Sequence, residues 1–128
     1  MEDLIFLDTH VVVWLYMGDL DLFSLKARED LCASELFISP IVALEIQYLQ
    51  EIERITAGAE EVIEELKGTV GLKLSDIPFD RVVAASLSNS WTRDPFDRII
   101  TAQAALGQDR LLTKDRTIRD HYQHAYWV

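Results

Sequence analysis

The sequence has almost none of the residues that build disulfide frameworks and zinc sites: one cysteine, Cys32, in 128 residues. A single cysteine excludes an intrachain disulfide and any CxxC metal site. It also points to a reducing, cytoplasmic compartment. Proline and glycine are sparse, three and five respectively, and no linker, low-complexity stretch or internal repeat interrupts the chain. Basic charge is short as well. Twelve Lys and Arg stand against 22 Asp and Glu, a net charge of −10, which counts against a protein that simply coats nucleic acid. Long apolar runs are missing. The nearest, LIFLDTHVVVWLYM from Leu4 to Met17, follows Glu2 and Asp3 and is interrupted by Asp8 and His10. It therefore reads as neither a signal peptide nor a membrane anchor. Gly-rich phosphate loops, GxSxG and HExxH do not occur.

What is present suits an ordinary globular chain, 49% hydrophobic and 27% charged. A single domain over residues 1–128 is expected, burying roughly two-thirds of the surface of its unfolded form without a disulfide or metal. The charge is uneven. Arg93 to Arg119 carries six basic and four acidic residues, a net +2, which leaves −12 elsewhere. Glu51, Glu53, Glu60, Glu61, Glu64 and Glu65 supply half of that excess and read as a solvated helix face.

Short apolar runs alternate with helical patterns. Strands are expected at Leu4–Leu7, Leu36–Ile38, Leu72–Leu74, Arg110–Thr113 and Ala125–Val128. Helices are expected at Thr9–Met17, closed by Gly18, and from a Ser24 cap to Ala33. A third runs from a Ser39 cap through Pro40 to Ala57, ending at Gly58. Others cover Glu60–Lys67, Phe79–Leu87, Asp94–Pro95 to Gly107, and Asp115–Tyr122. This alternation predicts an α/β domain with a central parallel sheet flanked by helices, whose ligands bind beyond the carboxyl ends of the strands. Asp8 and Asp115 each sit just past such an end.

Taken singly, the aspartates are equally well explained as helix caps: Asp8, Asp115, and Asp94 with Asp97 in a capping-box spacing. Glu45 is different. At about 100° per residue, the helix after Pro40 has its apolar face at Ile41, Leu44, Tyr48, Leu49, Ile52 and Ile55, with Glu45 near its middle. Gln47, Gln50, Glu51, Glu53 and Arg54 lie on the other side. An inward carboxylate is costly unless it is paired, for example with an arginine, or coordinates a metal. Carboxylates held close repel unless a cation lies between them. An oxygen-only donor set suits Mg²⁺ or Mn²⁺ rather than zinc, and such an ion suits phosphate chemistry. Arg98, Lys114 and Arg116 are candidates for contacts to backbone phosphates. The three histidines form no site, with His10 inside the first helix. Trp14, Trp91 and Trp127 read as core or interface.

Four blocks in this order, LDTHVVVWL (7–15), SPIVALEI (39–46), RDPFDRIITAQA (93–104) and LLTKD (111–115), resemble the PIN domain, and more closely the VapC-type ribonuclease toxins of toxin–antitoxin pairs. The resemblance covers essentially the whole chain. It implies an α/β/α sandwich and Mg²⁺- or Mn²⁺-dependent endonucleolytic cleavage of RNA, leaving 5′-phosphate and 3′-hydroxyl ends. The family acids fall on Asp8, Glu45, Asp97 and Asp115, with Asp94 a cap and accessory. Thr9 and Thr113 match positions whose hydroxyls support the acids, and with the three basic residues they complete the set of candidate substrate contacts. A homodimer and a cognate antitoxin that blocks the site are also implied. The alternatives are a catalytically silent PIN-like binding module, or a nuclease or phosphatase acting on another phosphate ester.

Overall fold

The structure, a computed structural model, describes residues 3–128. Strand β1 (Asp3–Leu7) is apolar from Leu4 onward, and its Ile5, Phe6 and Leu7 are buried. Such a run, with neighbours on both edges and cover on both faces, is characteristic of a central parallel strand. β1 pairs with β2 (Ser34–Ile38) on one side and β4 (Arg110–Leu112) on the other. β3 (Lys73–Leu74) and β5 (Ala125–Tyr126) form the outer strands, giving one five-stranded sheet in the order β3-β2-β1-β4-β5 with every pairing parallel. The chain winds outward from β1 through β2 to β3, then returns to β1's other edge. The direction of winding therefore switches between β1 and β4.

Among the described residues seven α-helices flank the sheet: α1 (Thr9–Met17), α2 (Leu25–Ala33), α3 (Ile41–Glu51), α4 (Ala59–Val70), α5 (Phe79–Ser86), α6 (Pro95–Leu106) and α7 (Arg116–His121). The largest departure from the sequence reading is in α3, whereas α1 spans the residues expected. α1 carries Val11, Val12 and Val13, poor helix formers by propensity, yet all three are buried in the core. Tertiary packing outweighs local preference there, and truncating Val11 or Val12 should cost about 1–3 kcal/mol. Gly18, at φ 70, ends α1 as predicted, its N–H bonding to Leu15 O at 3.1 Å.

α3 is shorter than predicted. It stops at Glu51, not Ala57, because Glu53 takes a left-handed φ of 63 and the Arg54 N–H turns back to Leu49 O at 2.9 Å. That turn carries Ile55 and Ala57 back against the core. Gly58 therefore ends no helix. It precedes α4, where a Cβ would stand 2.9 Å from Gln50 Oε1. α4 in turn runs through Gly68 to a left-handed cap at Gly71. Among the described residues no helix is long and apolar enough to cross a membrane.

Candidate active site

The backbone first fixes where the acids lie. Asp8 follows β1 directly, and its N–H donates to Leu112 O, 3.1 Å away at the end of β4. Asp8 thus stands at the point where the winding reverses, the usual place for a ligand in such sheets. Its carboxylate is held from two sides: Oδ1 accepts from the Thr9 N–H at 2.7 Å, and Oδ2 accepts from the Thr113 hydroxyl, which sits just beyond β4. Thr113 is fully buried, so this hydrogen bond fixes the rotamer of Asp8.

Glu45 reaches the same place from α3. It is buried, 9% exposed, and its Oε1 accepts from the Thr9 hydroxyl. No Arg or Lys pairs with it among the described residues, which removes the buried ion pair as its explanation. The helical face assigned from sequence was rotated, however. Val42 and Ile46 share burial with Glu45, whereas Leu44, Tyr48 and Ile52 are exposed.

Asp94 caps α6, its Oδ1 accepting from Phe96 N at 2.8 Å and Asp97 N at 3.2 Å. The Asp97 carboxyl does not return the bond as a capping box would. It lines the cleft with Asp8, Glu45, Asp94 and Asp115. Asp115 caps α7 through Oδ1 to Ile118 N at 3.0 Å. For Asp8, Asp94 and Asp115 the helix-cap reading and the cleft reading therefore both hold.

Five carboxyl groups and one ammonium, that of Lys114, border a cleft of about 240 Å³ whose walls also include His10 and Trp14. Burial raises the affinity of Asp8 for a proton, against the hydrogen bonds from Thr113 and Thr9. Burial lifts Glu45 too, opposed by the Thr9 hydroxyl and reinforced by the charge of Asp8. Asp97 is pushed up to about 8, first by burial and then by the charges of Asp94, Asp8, Asp115 and Glu45. Unlike Asp8 and Glu45, it has no hydrogen-bond donor among the described residues to offset this. A group of carboxyls that cannot all ionise together is the electrostatic setting that a cation resolves.

Among the described residues, no three His, Cys, Asp or Glu side chains close into a ready-made metal cage. The donor chemistry nevertheless fits a hard cation that keeps several waters and takes only one or two carboxylates directly. Asp97, Asp8 and Glu45 are the groups whose raised proton affinity such a charge would relieve.

The structure gathers all four predicted acids and Asp94 on one cleft, with Lys114 beside them. Thr9 and Thr113 support the acids from beneath and are buried away from any ligand. Arg98 and Arg116 do not line the cleft. The Arg98 Nε donates instead to Thr92 O at 2.8 Å, fixing the loop before α6. Two cleft residues escaped the sequence reading, His10 and Trp14. Four residues apart, two and six positions after Asp8, they share one helix face. That spacing was the available signal. Trp14 also packs edge-on against Trp127, with centroids 5.7 Å apart, while Lys114 Nζ lies 6.0 Å from its ring, so it serves both core and cleft.

Residues 5–123 match the model of the PIN domain family. The chain is similar to Ribonuclease VapC22 of Mycobacterium tuberculosis, 32% identical over 124 residues and covering 91% of each protein. It shares its fold with the crystal structure of VapBC2 from Rickettsia felis bound to a promoter DNA fragment, with a TM-score of 0.68, 14% identity, and 98% and 99% of the two chains covered. A toxin–antitoxin complex from Klebsiella pneumoniae gives a TM-score of 0.64 at 17% identity over 97% and 99% of the chains. The chain belongs to the PIN domain family and is a relative of the VapC ribonucleases.

Proposed function

We propose that this chain is the toxin of a toxin–antitoxin pair: an endoribonuclease that hydrolyses RNA phosphodiester bonds with Mg²⁺ or Mn²⁺ held by Asp8, Glu45, Asp97 and Asp115, with Asp94 accessory. The observation that carries this reading is the convergence of five carboxyl groups on one cleft, with Asp97 lifted to about 8. A structural protein would gain nothing from that mutual repulsion, whereas sites that bind or transform charge collect it. When bound, the cation supplies charge neutralisation and Lewis acidity toward a phosphate oxygen. The chain's own groups do the rest. Thr113 and Thr9 hold Asp8 and Glu45 in place, and Lys114 offers a donor to a backbone phosphate. The lone cysteine supports action in the reducing cytoplasm.

An antitoxin partner is supported by the toxin–antitoxin complexes among the structural relatives. A groove of about 540 Å³, walled by Leu15 of α1, Leu31 of α2 and Val70 of α4, offers apolar surface for it. A homodimer is supported by two exposed stripes at four-residue spacing: Leu44 and Tyr48 on α3 with Ile52 just past its end, and Phe79 and Val83 on α5 with Leu87 just past its end. Water-facing stripes of this kind usually mark interfaces.

The test compares wild type with Glu45→Gln, purified in parallel, on a mixed RNA pool with Mg²⁺, Mn²⁺ or EDTA. Single-stranded DNA and a phosphomonoester serve as further substrates. Cleavage confined to RNA, to added metal and to wild type is expected. Equal cleavage by both proteins would refute the site, and preference for DNA or the monoester would refute the substrate.

A further inference from the structure

His10 and Trp14, on one face of α1, wall not only the acid cleft but also an adjoining pocket of about 270 Å³. Its other walls include Met17 at the end of α1, Leu49 in the last turn of α3, and Arg54 and Ile55 just after that helix. The left-handed Glu53 and the Arg54 N–H bond to Leu49 O set this turn. Among the described residues Arg54 makes no ion pair and no side-chain hydrogen bond. Asp19 completes the polar lining, and its side chain makes no cap hydrogen bond. The pocket is thus aromatic and aliphatic on its walls, shares His10 and Trp14 with the acid cleft, and is supplied with an uncommitted guanidinium.

We propose that this pocket receives one unstacked base of a single-stranded RNA, the nucleotide beside the bond held in the acid cleft. The rings of Trp14 and His10 supply its stacking surface and Arg54 its phosphate contact. The proposal rests on the ribonuclease reading above and specifies how that site holds its strand. Single-stranded RNA is recognised chiefly by bases splayed onto aromatic or guanidinium planes. Size favours a base over a protein partner: the volume lies below the roughly 300–1,000 Å³ of drug-sized pockets, and an α-helix is about 10 Å across. Charge is also less adverse here: Arg54 faces the single carboxylate of Asp19 in this pocket, whereas the acid cleft sets five carboxyls against Lys114.

The test uses the Glu45→Gln background in Mg²⁺ to suppress turnover, with fluorescein-labelled oligoribonucleotides and the same strands carrying a single abasic site scanned along their length. One abasic position should weaken binding by roughly five- to hundred-fold, the worth of one stacked base. Adding Ile55→Trp, which fills the pocket, should abolish that position dependence. Adding Arg54→Ala should weaken every strand alike and reduce the salt slope by about 0.7. Circular dichroism confirms the fold of each variant, and the same strands are assayed for cleavage by the Glu45-containing proteins. Position dependence that survives Ile55→Trp, or that is absent from the start, overturns the pocket even if RNA is cut. Failure of any strand to bind also overturns it and leaves the pocket to a peptide. Base-dependent binding without cleavage under any metal would support the pocket while refuting the ribonuclease.

Discussion

Asp115 accepts the Ile118 N–H on one carboxylate oxygen at the start of α7 and also borders the acid cleft. Asparagine can keep such a cap, whereas alanine cannot. Asp115→Asn should therefore lower RNA cleavage while leaving the denaturation midpoint near wild type. Asp115→Ala should lose a further ~1 kcal/mol of stability, read by urea unfolding. Thr113 makes a different contribution, since its hydroxyl holds Asp8 Oδ2 and favours the ionised carboxylate. Thr113→Val should shift the pH dependence of activity to higher pH, whereas Thr113→Ser should restore it. A Val variant with an unchanged profile would mean that the hydroxyl only fills space. At this scale the acids were legible because strand ends and an inward-facing glutamate are visible along one dimension. His10 and Trp14 were not, because an apolar run with one histidine looks the same whether its helix faces core or cleft.

Among the elements, α3 shows most clearly what the sequence conceals. Its periodicity continues through Ile55, yet the helix stops at Glu51 because packing Ile55 and Ala57 against the core requires a turn at Glu53. A left-handed, non-glycine residue is strained, so Glu53→Gly should raise stability by about 0.5–1 kcal/mol, and a loss on urea unfolding would contradict this. The rotated face of α3 has the same origin. Apolar character alone cannot distinguish Leu44 and Tyr48, which face water in the single chain, from Val42 and Ile46 in the core. The proposed dimer gives those outward residues a purpose. Leu44→Glu together with Tyr48→Glu should yield a folded monomer by light scattering, and an unchanged mass would place the interface elsewhere. The sheet was far easier to read, since β1, β2 and β4 are built on short apolar runs bounded by polar residues, with β1 and β4 buried on both faces.

For the molecule as a whole, the acid cluster is a liability that a cation converts into a function. Asp8, Glu45 and Asp97 all hold their protons more tightly in the fold than in the unfolded chain. Stability from this source is fully present below about pH 4, the ordinary carboxylate value. It is lost as pH rises toward about 8, where Asp97 ionises. The melting temperature in EDTA should therefore fall between pH 5 and pH 8, while the stabilisation by Mg²⁺ or Mn²⁺ grows over the same interval. Asp97→Asn should melt higher than wild type in EDTA and respond less to metal, the usual opposition of stability and function at a charged site. The most direct measurement is calorimetric titration of Mn²⁺ into wild type and Asp97→Asn near pH 7, in two buffers of different ionisation enthalpy. Binding by wild type with release of close to one proton, and weaker binding without that proton by the variant, is the expected result. Equal binding by both proteins, or none by wild type, would show that these carboxylates were not gathered to hold a cation.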